Sequence, residues 1–269
     1  MNTNASQYSD VKNDPVLSSL DGTTLTITLN RPKIKNAMNR EAFDLLFDIL
    51  RAASVDDAVR AVIVTGSGGD FCSGADISDA PIGHPLGRVR HLSRTAEAMY
   101  SFPKPVIAMV EGVAVGAGWN LALCCDLVVA STSSRFSAIF AKRALSLDFG
   151  GAWLLPRLAG LQQAKRLAFL VEFIDADEAH DLGLVTWVKP PEEIHGFTVA
   201  LAKRIGAMPP VALAQNKELL NTGVVSSFRQ TLDDEARAQA INYGTEDAPI
   251  ARQAFKDKTE PEFTGKWAL

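Results

Sequence analysis

The sequence predicts an α/β protein, and three observations support that prediction. Residues 24–30 alternate Leu or Ile with Thr, which is the period of a strand with one buried face. The segment PVIAMV, residues 105–110, is apolar throughout. Helical patterns separate the strand patterns along the chain. Continuously apolar strands need cover on both faces, so helices layered over a sheet are favoured over an open antiparallel sheet.

The first elements follow from local patterns. Asn39 is expected to cap a helix, because the residues after it form one apolar helical face with i, i+3, i+4 and i+7 spacing: Phe43, Leu46, Phe47 and Leu50. Residues 61–65 predict a second strand, which leads into the glycine-rich loop GSGGDFCSGAD. A further helix is predicted over residues 88–101.

The later elements repeat this alternation and then stop. After PVIAMV come the turn EGVAVGAG, a short helix and the strand DLVVA. From Met208 onward no strand pattern remains, and the segments VALAQNKELLN and SFRQTLDDEARAQAIN are typical of helices. We therefore predict a mixed core over residues 1–207 and a helical segment over residues 208–269.

The composition limits the class of protein. The chain has 269 residues, 47% of them hydrophobic, which is enough for a sizeable core without disulfides or metals. The cysteines Cys72, Cys124 and Cys125 include an adjacent pair and fit neither a disulfide framework nor a zinc site. We expect a reducing, cytoplasmic compartment and no bound metal.

Charge and hydropathy exclude other classes. A formal net charge of -4 gives no basic footprint for a nucleic-acid partner. The amino-terminal segment MNTNASQYSDVKNDP lacks the apolar core of a targeting signal. No segment offers the run of about eighteen apolar residues that a membrane span needs. We therefore expect a soluble protein without a nucleic-acid or membrane partner.

Two glycine-rich loops are candidates for chemistry. In GGDFCSGADIS the glycines permit tight turns that can leave the amides near Ser73 and Gly74 facing a ligand. In EGVAVGAGWNLALCCD, residues 116–118 open a helix, so the Ala117 N–H lies at its positive end. Two such donors on one carbonyl oxygen would form an oxyanion hole. Either loop alone is equally typical of packing or phosphate binding.

Several motifs in register resemble the crotonase superfamily, the enoyl-CoA hydratase/isomerase family. They are LNRPKIKNAMN, FCSGADI, PKPVIAMVEGVAVGAG, CDLVVA, DFGGAWLLPRLAG and the tail AFKDKTEPEFTGK. The resemblance implies a spiral of repeated ββα units with a C-terminal helical trimerisation segment. It also implies homotrimers, often paired as hexamers, and an acyl-CoA substrate with no cofactor other than the coenzyme A of that thioester. The oxyanion hole of the family would be formed by the Ser73 and Ala117 N–H groups.

The same resemblance indicates the reaction. Hydratases of the family are similar in carrying two glutamates, whereas this chain has Asn120 and Phe140 at those positions. Asp148 matches the aspartate of isomerase-type members, including dienoyl-CoA and ring-1,2-epoxyphenylacetyl-CoA isomerases. Its apolar neighbours should raise its pKa. We expect an isomerase that moves a double bond or rearranges an activated ring, with Asp148 as acid and base.

Two alternatives stay open. One is a hydratase or hydrolase of the same fold that uses a water held by Asn120 and Asp148. The other is a catalytically silent acyl-CoA-binding scaffold. Asn120 itself either hydrogen-bonds the thioester region or a water, or holds a turn of backbone.

The remaining expectations concern substrate binding. By resemblance, Lys33 meets the coenzyme A phosphates, although solvation on the surface is equally expected, and the last helix contacts coenzyme A from a neighbouring subunit. Four aromatic residues line an acyl pocket or else fill the core: Trp119, Phe140, Phe149 and Trp153. His84 and His91 are expected to be exposed. The other candidate contacts are Cys72, Gly74, Asp76, Ile77, Gly116, Phe255 and Lys258.

Overall fold

The structure is a computed structural model that describes residues 13–78 and 83–268. Most of the amino-terminal segment MNTNASQYSDVKNDP, for which no targeting signal was expected, lies outside the described residues. The strands, numbered in chain order, are β1 (Val16–Asp21), β2 (Thr24–Leu29), β3 (Ala61–Gly66), β4 (Val106–Val110), β5 (Val113–Val115), β6 (Leu127–Ser131), β7 (Arg135–Ser137), β8 (Ile174–Asp175) and β9 (Trp187–Lys189).

The α-helices alternate with these strands and then continue alone. They are α1 (Arg40–Ser54), α2 (Pro85–Tyr100), α3 (Ala117–Leu123), α4 (Gly151–Leu158), α5 (Leu161–Leu170), α6 (Ala176–Asp181), α7 (Pro191–Gly206), α8 (Pro210–Gly223), α9 (Phe228–Tyr243) and α10 (Asp247–Asp257). Two short 3₁₀ helices cover Pro32–Ile34 and Ile139–Arg143.

The strands form two sheets that wind through successive strand–strand–helix units. The main sheet has the order β1-β2-β3-β4-β6-β9 and is parallel except at β1. A smaller sheet has the order β5-β7-β8. Isolated bridges, Met38 to Ala75 and Cys72 to Ala114, extend the smaller sheet towards the chain's beginning. The second strand of each unit thus joins the second sheet, which is the expected spiral of ββα units.

Helices cover both faces of the main sheet. Val62 and Val64 of β3 pack in one cluster with Phe43, Leu46 and Leu50 of α1, whereas Phe47 of the predicted stripe lies outside it. Ile63 packs on the other face of the sheet with Ile194 and Leu201 of α7. Every residue of β4 is buried. This two-sided cover is the physical reason for the continuously apolar strand patterns. The α/β prediction is therefore confirmed.

Local predictions held where the local signal was strong. The Asn39 side chain accepts the Ala42 N–H at 3.0 Å and caps α1. The predicted strand at 24–30 is β2, with Leu25 and Ile27 fully buried. Strand β1 was not predicted, because its two serines interrupt the alternation of apolar and polar residues in the sequence. Only alternate residues at the start of this strand are buried. The predicted helix at 88–101 begins three residues earlier, at Pro85, where the His84 Nδ1 accepts the Leu86 N–H.

From residue 208 onward the described chain is helical, with α8, α9 and α10 followed by a tail. Arg60 donates to the Phe263 carbonyl at 2.8 Å, and the buried Asp247 carboxylate accepts the Thr264 and Gly265 N–H groups. These contacts fasten the tail to the core. No helix within residues 13–78 and 83–268 combines the length and apolarity needed to cross a membrane.

Candidate active site

A cavity of about 470 Å³ lies between α1, α2 and the segment that precedes α4. Apolar side chains of Phe43, Leu92 and Leu147 form much of its wall. Five titratable residues also line it: Arg40, Asp76, Arg88, His91 and Asp148. Asp148 is thus the sequence-predicted acid that the fold does bring to a cavity.

The Asp148 main chain is fixed by two hydrogen bonds to its carbonyl. The Asn120 Nδ2 donates to this oxygen at 2.8 Å and the Gly151 N–H at 2.9 Å. The turn then passes through Phe149 at φ 47° and Gly150 at φ 81° into α4. Gly151 is required here, because a Cβ would lie 2.3 Å from the Asn120 Nδ2. The DFGG motif therefore fixes the backbone of Asp148 at a position where the residue lines the cavity.

The Asp148 carboxyl group has an unusual environment. Its Oδ1 is buried and has no hydrogen-bond partner in the part of the chain that the structure describes. Burial raises its pKa from 3.8 to about 6. A carboxyl group with this pKa has both protonation states available near neutral pH and can both remove and return a proton.

The two glycine-rich loops meet beside this cavity. Gly74 has φ +101°, and a Cβ there would lie 2.8 Å from the Val115 carbonyl oxygen and 3.6 Å from the Ala117 nitrogen. The glycine therefore permits a close approach that no other residue would allow. Ala117 is the first residue of α3, so its N–H has no acceptor within the helix.

The amides of the first loop are not free, which corrects the sequence-based expectation. The Ser73 N–H donates to the Lys35 carbonyl at 2.9 Å, and the Gly74 N–H lies 3.4 Å from the Cys72 Sγ. Lys35 and Asn36 both adopt left-handed backbone conformations, with φ 52° and 56°. This turn directs the Lys35 carbonyl at Ser73. A thioester oxygen can take the Ser73 N–H only by displacing that carbonyl.

Asn120 and Phe140, at the positions where the resemblance expects the glutamates of hydratases, are both packed against other parts of the chain. Asn120 is buried and binds the Asp148 carbonyl, so holding a turn of backbone is the role that its contacts favour. Phe140 is buried, and its ring lies under Gly116. Neither residue supplies a carboxylate, and neither lines the Asp148 cavity.

The expected aromatic pocket is not formed by the four predicted residues. Trp119 is 1% exposed and packs on Phe136, with ring centroids 5.6 Å apart. Phe149 packs on Phe43 at 5.6 Å, and Trp153 lies between Tyr100 and Arg157. None of the predicted four lines the Asp148 cavity, whereas Phe43 does. Core packing and an apolar pocket require the same residue types, so the sequence pattern could not separate them.

Three other residues predicted to contact the substrate, Cys72, Asp76 and Ile77, have different surroundings in the structure. The Cys72 thiol is buried on the Asn36 carbonyl, burial raises its pKa to about 12, and Cys72 does not line the Asp148 cavity. Asp76 lines the cavity but its carboxylate is held by Ser78 and by Arg31 at 2.8 Å; the Ser78 hydrogen bond is the main cause of its lowered pKa. Ile77 is 71% exposed.

The expected coenzyme A contacts lie on the surface. Lys33 is exposed on the 3₁₀ turn. The Nζ of Lys35, two residues further on, is 3.5 Å from Asp70. Phe255 is 86% exposed on α10, and Lys258 ends that helix in a left-handed conformation. Neither of these last two residues lines the Asp148 cavity of the described chain.

Sequence reasoning missed the contribution of α2. Arg88 and His91 line the cavity, and the His91 side chain is only 20% exposed, contrary to expectation. Its Nε2 lies 2.5 Å from the Asp44 Oδ1. The available signal was the spacing of Arg88 and His91 at i and i+3, but only the fold brings this face of α2 to the same cavity as Asp148.

The sequence of this chain is similar to those of known proteins of one family. The family model for enoyl-CoA hydratase/isomerase matches residues 20–266. The chain is 35% identical over 259 residues to the 1,2-epoxyphenylacetyl-CoA isomerase of Escherichia coli strain K12, covering 93% of this chain and 98% of that protein. It is also 35% identical over 245 residues to the crotonyl-CoA hydratase of Syntrophomonas wolfei, covering 88% and 93%.

A solved structure extends this similarity to the fold. The enoyl-CoA hydratase from Bacillus anthracis superposes with a TM-score of 0.90 at 30% sequence identity. The superposition covers 94% of this chain and all of that one. This chain therefore belongs to the enoyl-CoA hydratase/isomerase family.

Proposed function

We propose that this protein is an acyl-CoA isomerase in which Asp148 acts as both acid and base. The single observation that carries the proposal is the Asp148 carboxyl group, which lines the cavity with one buried oxygen unpaired among the described residues. An unpaired carboxyl oxygen in an apolar wall costs stability, which is typical of a group kept for chemistry.

The mechanism needs only one carboxylate. In a 3-enoyl thioester, Asp148 removes a proton from C2, and the electron pair moves through the carbonyl to give a dienolate. The protonated Asp148 then returns the proton at C4, which yields the 2-enoyl thioester and restores the carboxylate. Proton transfer by a positioned side chain contributes about 10²–10⁴ in rate.

The negative charge of the dienolate forms on the thioester oxygen and needs donors. The Ala117 N–H at the start of α3 supports this role, because it has no intrahelical acceptor and lies at the positive end of the helix. The Ser73 N–H is the second proposed donor, once the thioester oxygen replaces the Lys35 carbonyl. One such donor is worth about 3–4 kcal/mol in the transition state.

The site favours isomerisation over hydration. Hydration requires one group to activate water while another protonates carbon, and the family's hydratases are similar in using two glutamates. Here Asn120 is committed to the Asp148 carbonyl and Phe140 is packed under Gly116. Asp76, the other acid of the cavity, is paired with Arg31.

The coenzyme A part of the substrate and the oligomer complete the proposal. Lys33 stands exposed beside the Ser73 loop, where it can meet a phosphate. Residues 220, 224, 228 and 232, all apolar, are exposed on or beside α8 and α9. An apolar strip of this kind is typical of an interface. We propose a homotrimer, in which Phe255 and Lys258 would reach a neighbour's coenzyme A; light scattering measures its mass.

Exchange of substrate protons with solvent tests the proposal. The native protein in deuterated water should exchange the α- or γ-protons of an enoyl-CoA thioester and move its double bond. Asp148→Asn should reduce exchange by at least about a hundredfold, the low end of a general acid–base contribution. Mass spectrometry of the products reports added water as a gain of one water mass.

Two results would refute the assignment. Addition of water without double-bond migration would show a hydratase. Binding of acyl-CoA by the native protein with neither proton exchange nor double-bond migration would show a scaffold. Asp48→Asn, which changes an exposed carboxylate on α1, is the matched control and should exchange at the native rate.

A further inference from the structure

The wall of the Asp148 cavity that α2 supplies is basic. Arg88, Val89, His91 and Leu92 all line the cavity, at positions i, i+1, i+3 and i+4 of that helix. The wall contributed by residues 145–147 and Phe43 is largely apolar. A purely hydrocarbon acyl chain would need no cation at this place.

The basic groups around this wall share one carboxylate. Asp44 lies 2.5 Å from the His91 Nε2, 3.4 Å from Arg94 and 3.7 Å from Arg40. Asp76, which also lines the cavity, is paired with Arg31 at 2.8 Å. Arg40 and Asp76, which both line the cavity, are therefore each neutralised by an ion pair, whereas Arg88 brings a positive charge to the wall.

Of the two arginines that line the cavity, Arg40 and Arg88, it is Arg88 that has no protein counter-ion among the described residues. No carboxylate of the described residues lies within 4 Å of its guanidinium, although Arg31, Arg40 and Arg94 each have one. A guanidinium presents a planar pair of N–H donors that matches a carboxylate. Arg88 is an exposed residue of the cavity lining, so its guanidinium is available to an anion bound there.

We propose that the acyl group of the substrate carries a carboxylate at the end remote from the thioester, and that Arg88 binds this carboxylate. The proposal rests on the proposed acyl-CoA function, and it narrows the substrate class to monothioesters of dicarboxylic acids. Burying an unpaired carboxylate among apolar side chains is costly, and a carboxylate held at the exposed Arg88 avoids that cost. The carboxylate at Arg88 also stays on the α2 side of the cavity, away from the charge of Asp148.

Binding of unreactive ligands tests this directly. Two saturated acyl-CoA thioesters of equal chain length are compared by calorimetry, one ending in a carboxylate and one in a methyl group. The native protein should bind the carboxylate-ended thioester at least about tenfold more tightly, and added salt should reduce the difference. In Arg88→Gln, which keeps most of the side-chain length, the difference should disappear.

The matched control is Arg90→Gln. Arg90 is exposed on the same helix two residues further on and does not line the cavity, so the preference should persist. Equal binding of the two thioesters by the native protein would overturn the proposal. So would an equal loss of affinity for both in Arg88→Gln, since that result would place Arg88 on the coenzyme A phosphates. Because neither ligand reacts, the result is independent of the exchange assay that tests the isomerase.

Discussion

Replacing Asp148 with asparagine should make the folded protein more stable at high pH while removing its activity. Burial raises the pKa of this carboxyl group from 3.8 to about 6. The folded state therefore holds the proton to a higher pH than the unfolded chain does. The stability that this group contributes is fully present below about pH 4 and is lost as the pH rises through 6.

The size of the effect follows from the same pKa values. The interval from 3.8 to about 6 corresponds to about 3 kcal/mol at 1.36 kcal/mol per pKa unit, and this is an upper value because Asp148 is only partly buried. Asparagine stays neutral at every pH. Its free energy of unfolding should exceed the native value by about 2–3 kcal/mol at pH 8 and by less than about 1 kcal/mol at pH 4.

Urea denaturation at a fixed protomer concentration, followed by circular dichroism from pH 4 to pH 8, measures this difference. Asp48→Asn is again the control, since its carboxylate is exposed, and its difference from the native protein should not follow the same curve. If Asp148→Asn is no more stable than the native protein at pH 8, the carboxyl group is not desolvated. A stability difference that is constant with pH would equally refute the reasoning.

Three further substitutions test how the site is built. Gly74→Ala should lower the free energy of unfolding by at least about 1 kcal/mol more than Gly69→Ala does. Both glycines have positive φ, but of the two only Gly74 would bring a Cβ within 3 Å of backbone, so equal urea midpoints would contradict this prediction. Asn120→Ala removes the side chain that donates a hydrogen bond to the Asp148 carbonyl. In this variant kcat should fall more than KM rises and the midpoint of the pH–rate profile should move, so an unchanged pH profile would refute a positioning role. Ala117→Pro deletes the proposed oxyanion donor at the first helical position, which tolerates proline. It should reduce proton exchange about 10²–10³-fold with unchanged circular dichroism, and exchange at the native rate would exclude this donor.

The candidate site was only partly predictable from its residues. Asp148 was identifiable, because a lone carboxylate in an apolar run before two glycines demands an explanation. The role of Asn120 was not, because its partner carbonyl lies 28 residues further along the chain. The Ser73 amide likewise looked free in its own loop, and only the tertiary structure brings the Lys35 carbonyl to it.

The sequence by itself determined the layers and the local elements of this protein. Asn39 and the apolar stripe behind it specify α1, and the continuously apolar strands require helices on both faces of the sheet, because these effects depend on residues close together in the chain. The tertiary structure alone decided which apolar residues line the cavity and which fill the core. It also decided that Arg88 and His91 of α2 line the same cavity as Asp148. The physical reason is that burial, counter-ions and cavity shape arise from contacts between distant segments, which local periodicity does not encode.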